Sequence, residues 1–268
     1  PFPTQRTFRE LVTFCQQERI TTLHFPAPYW HQFMDSLTEA DHHALRGIDV
    51  LAVGGEPPDP NRLRTWLETG HGQRRFLNVY GPTETTITVA VHTIMEAVPE
   101  GKLSIGQPID NTQIYILDEQ LNHAPIGEPG ELFIGGLNLA RGYLRRPGLT
   151  AEKFVPNPFP TVIPGLVDER GSRLYRTGDL ARYLPDGTIE FLGRVDNQIK
   201  IHGFRVELDE IEVVLNQHPD VREAAVIAPE VTLEQKMLVA YLVPTQHGAD
   251  DADYNQRIRR YLEARLPH

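Results

Sequence analysis

IDVLAVGGEPPDPNRLRTWLETGHGQRRFLNVY, residues 48 to 80, decides the fold. IDVLAV (48–53) is a continuous apolar run of strand length, Asn61 to Thr69 reads as a helix, and RFLNVY (75–80) is a second strand. Strand, helix, strand with unbroken apolar strands predicts a parallel sheet covered on both faces, whose ligands gather at the carboxyl ends of its strands. Two loops stand at those ends: Gly54-Gly55-Glu56 and Gly81-Pro82-Thr83-Glu84.

Upstream, Thr7-Phe8-Arg9-Glu10 is a capping-box pattern that leads into apolar positions 8, 11, 12 and 15, so a helix is expected over 7–18. A short strand, ITTLHF (20–25), should follow, and then a helix in PYWHQFMDSL with Trp30, Phe33, Met34 and Leu37 inward. Downstream of about 104 the texture changes to short alternating strands, TQIYIL, GELFIGG, LARYL and TIEFLG, with a hairpin turn at Pro185-Asp186-Gly187. That pattern predicts an antiparallel sheet or barrel. From about 197 a third texture begins: strand IKIHGF, a helix over 208–217, strands REAAVIA and KMLVAYLV, and a helix ending near Arg265. The fold class is therefore α/β, with a partial layered α/β core (1–103), a distorted antiparallel β-barrel subdomain (104–195) and a small mobile α+β C-terminal subdomain (196–268).

Composition narrows the function. With 26 Lys+Arg against 36 Asp+Glu and a formal charge of -10 over 268 residues, the chain is not built to capture nucleic acid or an anionic membrane. No apolar stretch reaches the roughly 18 to 20 residues of a membrane span. Its single cysteine, Cys15, excludes an internal disulfide framework and lies on an apolar helix face as a packed small hydrophobe. A reducing, cytoplasmic location is expected. Asp41-His42-His43, His24 and His31 provide no convincing metal-ligand set. The chain lacks an initiator methionine and stops directly after a helical pattern, so truncation at both ends is expected.

Each polar motif has two readings when taken alone. NVYGPTETTI (78–87) is either a strand with a capped Gly-Pro turn, or a hydroxyl, a carboxylate and an aromatic ring converging on a nucleotide and its metal. In YRTGDL (175–180), Asp179 either bonds turn amides or accepts from both hydroxyls of a ribose. GRVDNQIKIHGFR (193–205) is either the solvated basic face of a hairpin or a functional seam.

In one order, YGPTET, GELFIGG with LARGYLRRPGLTAEKF, YRTGDLARYLPDG and GRVDNQIKIHGFRVELDEIE resemble the adenylation domains of nonribosomal peptide synthetases, within the acyl-adenylate-forming ligases. The resemblance covers essentially the whole chain. It implies that an amino acid and Mg-ATP give aminoacyl-AMP and pyrophosphate, and that a phosphopantetheine thiol on a peptidyl carrier protein domain then takes the acyl group. Antibiotic or other secondary-metabolite synthesis would be the setting. Neighbouring synthetase domains and an MbtH-like protein are further implied partners. A silent interaction module that keeps the fold, or an acyl-CoA or aryl-acid ligase, are the alternatives.

By this resemblance Asn78 and Tyr80 hold and stack the adenine, Gly55 and Gly81 line the nucleotide, and Thr83 contacts the α-phosphate. Glu84 binds Mg²⁺, Asp179 takes the ribose hydroxyls with help from Arg194, and Lys200 joins Thr83 and Glu84 as catalytic. His24, Ala52, Gly54, Val79, Ile87 and Thr88 match the substrate pocket, in which small residues at 52 and 54 leave room and His24 favours a polar side chain. Asp196 is the implied hinge, and Gly203 and Arg205 border the pantetheine path. The family's phosphate loop and its adenylation lysine fall outside the matched positions, so the 268 residues alone are expected to be inactive.

Overall fold

The computed structural model describes residues 7–69, 74–95, 98, 102–159, 173–195, 198–201, 204–232, 235–245 and 251–266. The chain divides into two compact units, 1–195 and 196–268. Helix α1 (Phe8–Gln17) starts at the expected capping box: the Thr7 hydroxyl accepts from Glu10 N, and the Glu10 carboxylate accepts from Thr7 N at 2.7 Å. Strand β1 (Thr22–Pro26) runs into α2 (Ala27–Ser36), α3 (Glu39–Ala44) and a 3-10 turn, Leu45–Gly47. Strand β2 (Val50–Gly54), α4 (Pro60–Thr69), β3 (Arg75–Tyr80), β4 (Ala90–Ile94) and β5 (Gln107–Pro108) complete a sheet of order β1-β2-β3-β4-β5.

The expected parallel, doubly covered sheet needs two corrections. First, β1, β2 and β3 are parallel, but β4 pairs antiparallel with β3, and β5 pairs antiparallel with β4 and so runs in the direction of β1 to β3 again. The Gly81–Val89 turn sends the chain straight back along β3, which needs no crossover helix. Second, the helices gather on one face. Strands β1 to β3 advance in one direction, and right-handed crossovers between them set every connecting helix on the same side. One core accordingly joins Val12, Trp30, Phe33, Leu63 and Trp66 from the helices to Leu23, Leu51, Val53 and Phe76 from the strands. On the opposite face Thr22, His24 and Pro26 are exposed, and Val50, Ala52, Leu77 and Val79 are half-buried.

The second sheet is built from β6 (Thr112–Leu117), β7 (Gly130–Gly136), β8 (Phe154–Pro156), β9 (Arg173–Tyr183) and β10 (Ile189–Arg194), with α5 (Pro147–Lys153) before β8. It runs β10-β9-β7-β6, with β8 also on β9. The described strands form an open, curled, half-barrel-like sheet, in keeping with the expected antiparallel sheet or distorted barrel. Its β9–β10 hairpin turns where expected, with Gly187 at φ 81° and the Asp186 carboxylate accepting from Thr188 N and Oγ1. The divide expected near 103 is not a packing boundary. Val89 and Ala90 share a core with Ile114, Leu132 and Ile189, while Gly106 bridges Ile189.

In the second unit, β11 (Gln198–Ile201) and β12 (Phe204–Glu207) form a hairpin. Helix α6 (Leu208–Asn216), β13 (Val221–Ile227), a small hairpin of β14 (Glu230–Thr232) and β15 (Gln235–Lys236), β16 (Val239–Pro244) and α7 (Asp251–Glu263) follow. Leu208, Leu215, Val221, Ala224, Val226, Tyr254 and Ile258 are its core. No helix of the described residues is long and apolar enough to cross a membrane.

Arg74, just before β3, is a buried cation that the sequence did not single out. Its guanidinium donates to the carbonyls of Leu45 (2.7 Å), His42 (3.4 Å) and Trp66 (3.4 Å) and lies 4.1 Å from the Trp66 ring centroid. It thereby adds a donor to helix-end carbonyls, of which Leu45 also accepts from Ile48 N at 3.0 Å and Trp66 from the Thr69 hydroxyl at 3.2 Å. Burial, with Arg46 nearby, lowers its pKa to about 10, so it remains a cation at neutral pH. His42 packs in the same region, with Nδ1 3.2 Å from the Thr69 hydroxyl. Arg74→Met keeps the apolar stem and removes these buried charged donors, and should cost about 2–3 kcal/mol in denaturant unfolding; a loss below about 0.5 kcal/mol would show that these bonds contribute nothing net.

Candidate active site

The site begins where β3 ends. A Cβ on Gly81 would lie 1.9 Å from the Ile87 carbonyl oxygen, so only glycine permits the chain to fold back this tightly. Val89 N then donates to the Tyr80 carbonyl at 2.8 Å and restarts the ladder as β4. Within the turn, Thr86 and Ile87 both adopt positive φ, 60° and 73°, a conformation costly for β-branched residues. Residues 138–140 hold this turn from outside: the Thr86 hydroxyl donates to the Asn138 carbonyl at 2.8 Å and Ala140 N donates to the Glu84 carbonyl at 2.8 Å. Glu84 is buried, and its Oε1 accepts from the Tyr143 hydroxyl at 2.7 Å. Thr83 is exposed beside it. Tyr143 in turn lies 3.5 Å, oxygen to oxygen, from Tyr175. Burial foremost, then its bonds to Tyr175 and Glu84, pushes the Tyr143 pKa above the usual phenol range, which keeps it a donor.

The second half of the site is Asp179, 7 % exposed at the middle of β9. Arg194, its cross-strand partner on β10, donates to Oδ1 at 2.8 Å. The Tyr80 hydroxyl, arriving from the other sheet, donates to Oδ2. Burial first, and the Asp179 charge second, raises the Tyr80 pKa well above its ordinary value, so the phenol stays protonated. A carboxylate presents about four acceptor positions, and its two oxygens match the two hydroxyls of a diol.

Asp179 owes its aim to a local irregularity. The β7–β9 register shifts between Glu131 and Phe133, and Gly178 takes φ 75°; such a bulge re-aims a side chain. Glu131 fixes it, accepting from Gly178 N at 3.1 Å and from Arg176 at 2.8–3.0 Å. Thr177 Oγ1 accepts from Asp179 N at 2.9 Å and donates to the Leu132 carbonyl at 2.6 Å. Glu131, Tyr143 and Thr177 were missed in the sequence, although all three lie inside the quoted motifs.

The remaining expected residues fall into three groups. His24 pairs with Ala52, and Gly54 with Val79, on the helix-free face of the first sheet. Gly54 has a packing reason to be small: a Cβ there would lie 2.5 Å from Val79 Cγ2. Ile87 is 65 % exposed in the strained turn, Thr88 follows it half-buried, and Gly55, at φ 90°, is exposed beyond β2. Asn78 is buried, and its amide donates at 2.8 Å to the carbonyl of Ser104, between β4 and β5, where the resemblance implies an adenine contact. The Tyr80 ring faces Phe191 at 6.3 Å. Lys200 and Arg205 are register partners across β11–β12, while Asp196 and Gly203 lie outside the described residues.

Tyr80→Phe removes one donor from a buried carboxylate and should destabilise the protein by about 1–2 kcal/mol. In the Asp179→Asn background the same change should cost much less, because the two residues share one interaction. Equal costs in both backgrounds, measured by chemical unfolding, would show that the two groups are not coupled.

The AMP-binding enzyme family model matches residues 1–144, and that of the AMP-binding enzyme C-terminal domain matches 210–268. Tyrocidine synthase 3 of Brevibacillus parabrevis is 42% identical over 253 residues, which are 94% of this chain and 4% of that protein. Gramicidin S synthase 1 of Brevibacillus brevis is 41% identical over 244 residues, 91% of this chain and 20% of that one. Among solved structures, IdnL1 superposes with TM-score 0.80 at 27% identity over 97% of this chain and 51% of its own. An artificially fused adenylation–PCP di-domain, NpsA-ThdA from Klebsiella oxytoca, gives TM-score 0.75 at 26% identity over 97% and 45%. The chain thus spans about half of these solved relatives and a small part of the curated ones. With its two matched regions and this fold, the chain belongs to the AMP-binding enzyme family.

Proposed function

We propose that this chain supplies the adenosine-binding side of a site that activates an amino acid with ATP. The observation that carries the reading is the convergence of Tyr80, Asp179 and Arg194 at the end of β3, beside the turn that presents Thr83 and Glu84. A fixed, buried carboxylate is suited to a ribose diol, and an exposed hydroxyl beside a held carboxylate is suited to a phosphate and its cation. The relatives support the amino-acid assignment, since they are named as synthases of tyrocidine and gramicidin S, and the structural neighbours include a protein that joins an adenylation domain to a carrier.

In the proposed reaction a carboxylate oxygen of the amino acid attacks the α-phosphorus of ATP, the bond from that phosphorus to the bridging oxygen breaks, and pyrophosphate leaves. The acyl group then passes to a phosphopantetheine thiol of a carrier domain and AMP is released. Glu84 fits Mg²⁺ as a hard, buried oxygen donor held by Tyr143. When bound, the ion would supply positive charge against the phosphates. Asp179 and Arg194 orient the nucleoside, so that the triphosphate meets the Thr83–Glu84 turn. His24, Ala52, Gly54 and Val79 lie in adjacent register rows on the helix-free face and would form the floor of the amino-acid pocket. Asp196 would be the hinge between the half-reactions, Gly203 and Arg205 would border the thiol's path, and an MbtH-like protein would be a further partner.

Asp179→Ala should weaken ATP use in the intact parent polypeptide by roughly two to four orders of magnitude in ATP–pyrophosphate exchange, as expected for losing two hydrogen bonds to a charged group. An unchanged KM for ATP with the fold retained would refute the ribose role. In the same assay, a substrate panel should favour a polar or acidic amino acid over Phe or Leu, because His24 places a polar group on the pocket floor. Exchange with aryl or fatty acids only would refute amino-acid activation.

A further inference from the structure

We propose that Tyr143 is a positioning residue for Glu84, and that the 138–143 segment serves as a clamp on the 83–86 turn. Three independent bonds join the two segments: Thr86 Oγ1 to the Asn138 carbonyl at 2.8 Å, Ala140 N to the Glu84 carbonyl at 2.8 Å, and Tyr143 Oη to Glu84 Oε1 at 2.7 Å. The turn needs such a clamp, because two successive β-branched residues, Thr86 and Ile87, stand at positive φ and that conformation persists only where surrounding structure enforces it. The clamp is itself fixed. Tyr143 N donates to Thr150 Oγ1 at 2.9 Å, that hydroxyl donates to the Arg146 carbonyl at 2.8 Å, and the Tyr143 ring lies edge-on to Phe154 at 5.8 Å. Gly142 allows the approach, at φ 140° and with a would-be Cβ 2.4 Å from Thr150 Cγ2.

A buried carboxylate that is to receive a cation must be held in one rotamer without being neutralised. A phenol does both: it donates one hydrogen bond to one oxygen and is not a cation that would pair with the carboxylate in place of the ion. A lysine or arginine in its place would compete with the ion, and an apolar residue would remove that hydrogen bond. The role of Tyr143 rests on the reading of Glu84 as the metal carboxylate given above.

The test uses the intact parent polypeptide in amino-acid-dependent ATP–pyrophosphate exchange, with free Mg²⁺ varied at saturating MgATP. Tyr143→Phe should raise the half-saturating free Mg²⁺ roughly tenfold, the scale of one hydrogen bond to a charged group, and lower kcat, with KM for the amino acid within about twofold of the parent. In the Glu84→Gln background the same substitution should add no further shift, since the two residues act as one unit. Should Tyr143→Phe fail to fold, Thr150→Val, which releases Tyr143 without touching Glu84, should shift Mg²⁺ dependence in the same direction by a smaller factor. If Glu84→Gln shifts Mg²⁺ dependence and Tyr143→Phe does not, or if the two effects simply add, the positioning role is overturned while the proposed function stands. If Glu84→Gln itself leaves Mg²⁺ dependence unchanged, the metal reading falls and this inference with it.

Discussion

A buried carboxylate constrains everything around it. Asp179 lies within β9, where an unpaired charge would cost several kcal/mol, so its partners have to arrive from fixed directions. Arg194 comes from the neighbouring strand of the same sheet, and Tyr80 comes from the last position of β3 in the other sheet. Satisfying Asp179 therefore requires the two sheets to stand in one arrangement, and the site lies at that junction. Asn78 reinforces it two residues earlier, through the Ser104 carbonyl, while the Ser104 hydroxyl donates to the Ile189 carbonyl at 2.8 Å. The same alternation along β3 that puts Phe76 in the core puts Asn78 and Tyr80 on the seam.

Local strain and local order are combined at this seam. The 81–87 turn holds backbone conformations that β-branched residues avoid, and it is tied by side-chain and backbone bonds to a loop more than fifty residues away in sequence. The bulge at Gly178, whose positive φ glycine adopts without strain, interrupts the ladder and is pinned by Glu131 and Thr177. Both irregularities project polar side chains where regular strands would not, and both are enforced by residues that touch no ligand in the proposed reaction. Function here depends on supporting residues as much as on the groups that would meet the nucleotide.

The one-sided first sheet has a different origin. Its helices are on one face because successive right-handed crossovers move in one direction, and this leaves the row His24–Ala52–Leu77 and the row Pro26–Gly54–Val79 on the other. A face so composed is too apolar and too regular to be an ordinary solvated surface. Gly54 shows how packing and function overlap at a single position. The residue that would keep a pocket open is also the only one that fits against Val79, so its size alone does not argue for a ligand.

The sequence by itself determined the elements and the family. Capping box, apolar periodicity and turn residues located α1, α2, α4, the three parallel strands, the β9–β10 hairpin and α6, because these signals are local and each is enforced within a few residues. Four motifs in one order pointed to AMP-binding enzymes for the same reason: they are contiguous strings. Tertiary structure decided what depends on residues distant in the chain. The added strands β4 and β5 and the single covered face are of this kind. So are the commitment of Asn78 to Ser104 and the bonds of Asp179 to Tyr80 and of Glu84 to Tyr143, which span 26 to 99 positions. Nothing in a local pattern distinguishes Tyr143 from any other half-buried aromatic, or Arg74 from a surface cation. Their roles exist only once folding brings a buried carbonyl or carboxylate within hydrogen-bond reach, where protein donors have to replace lost water.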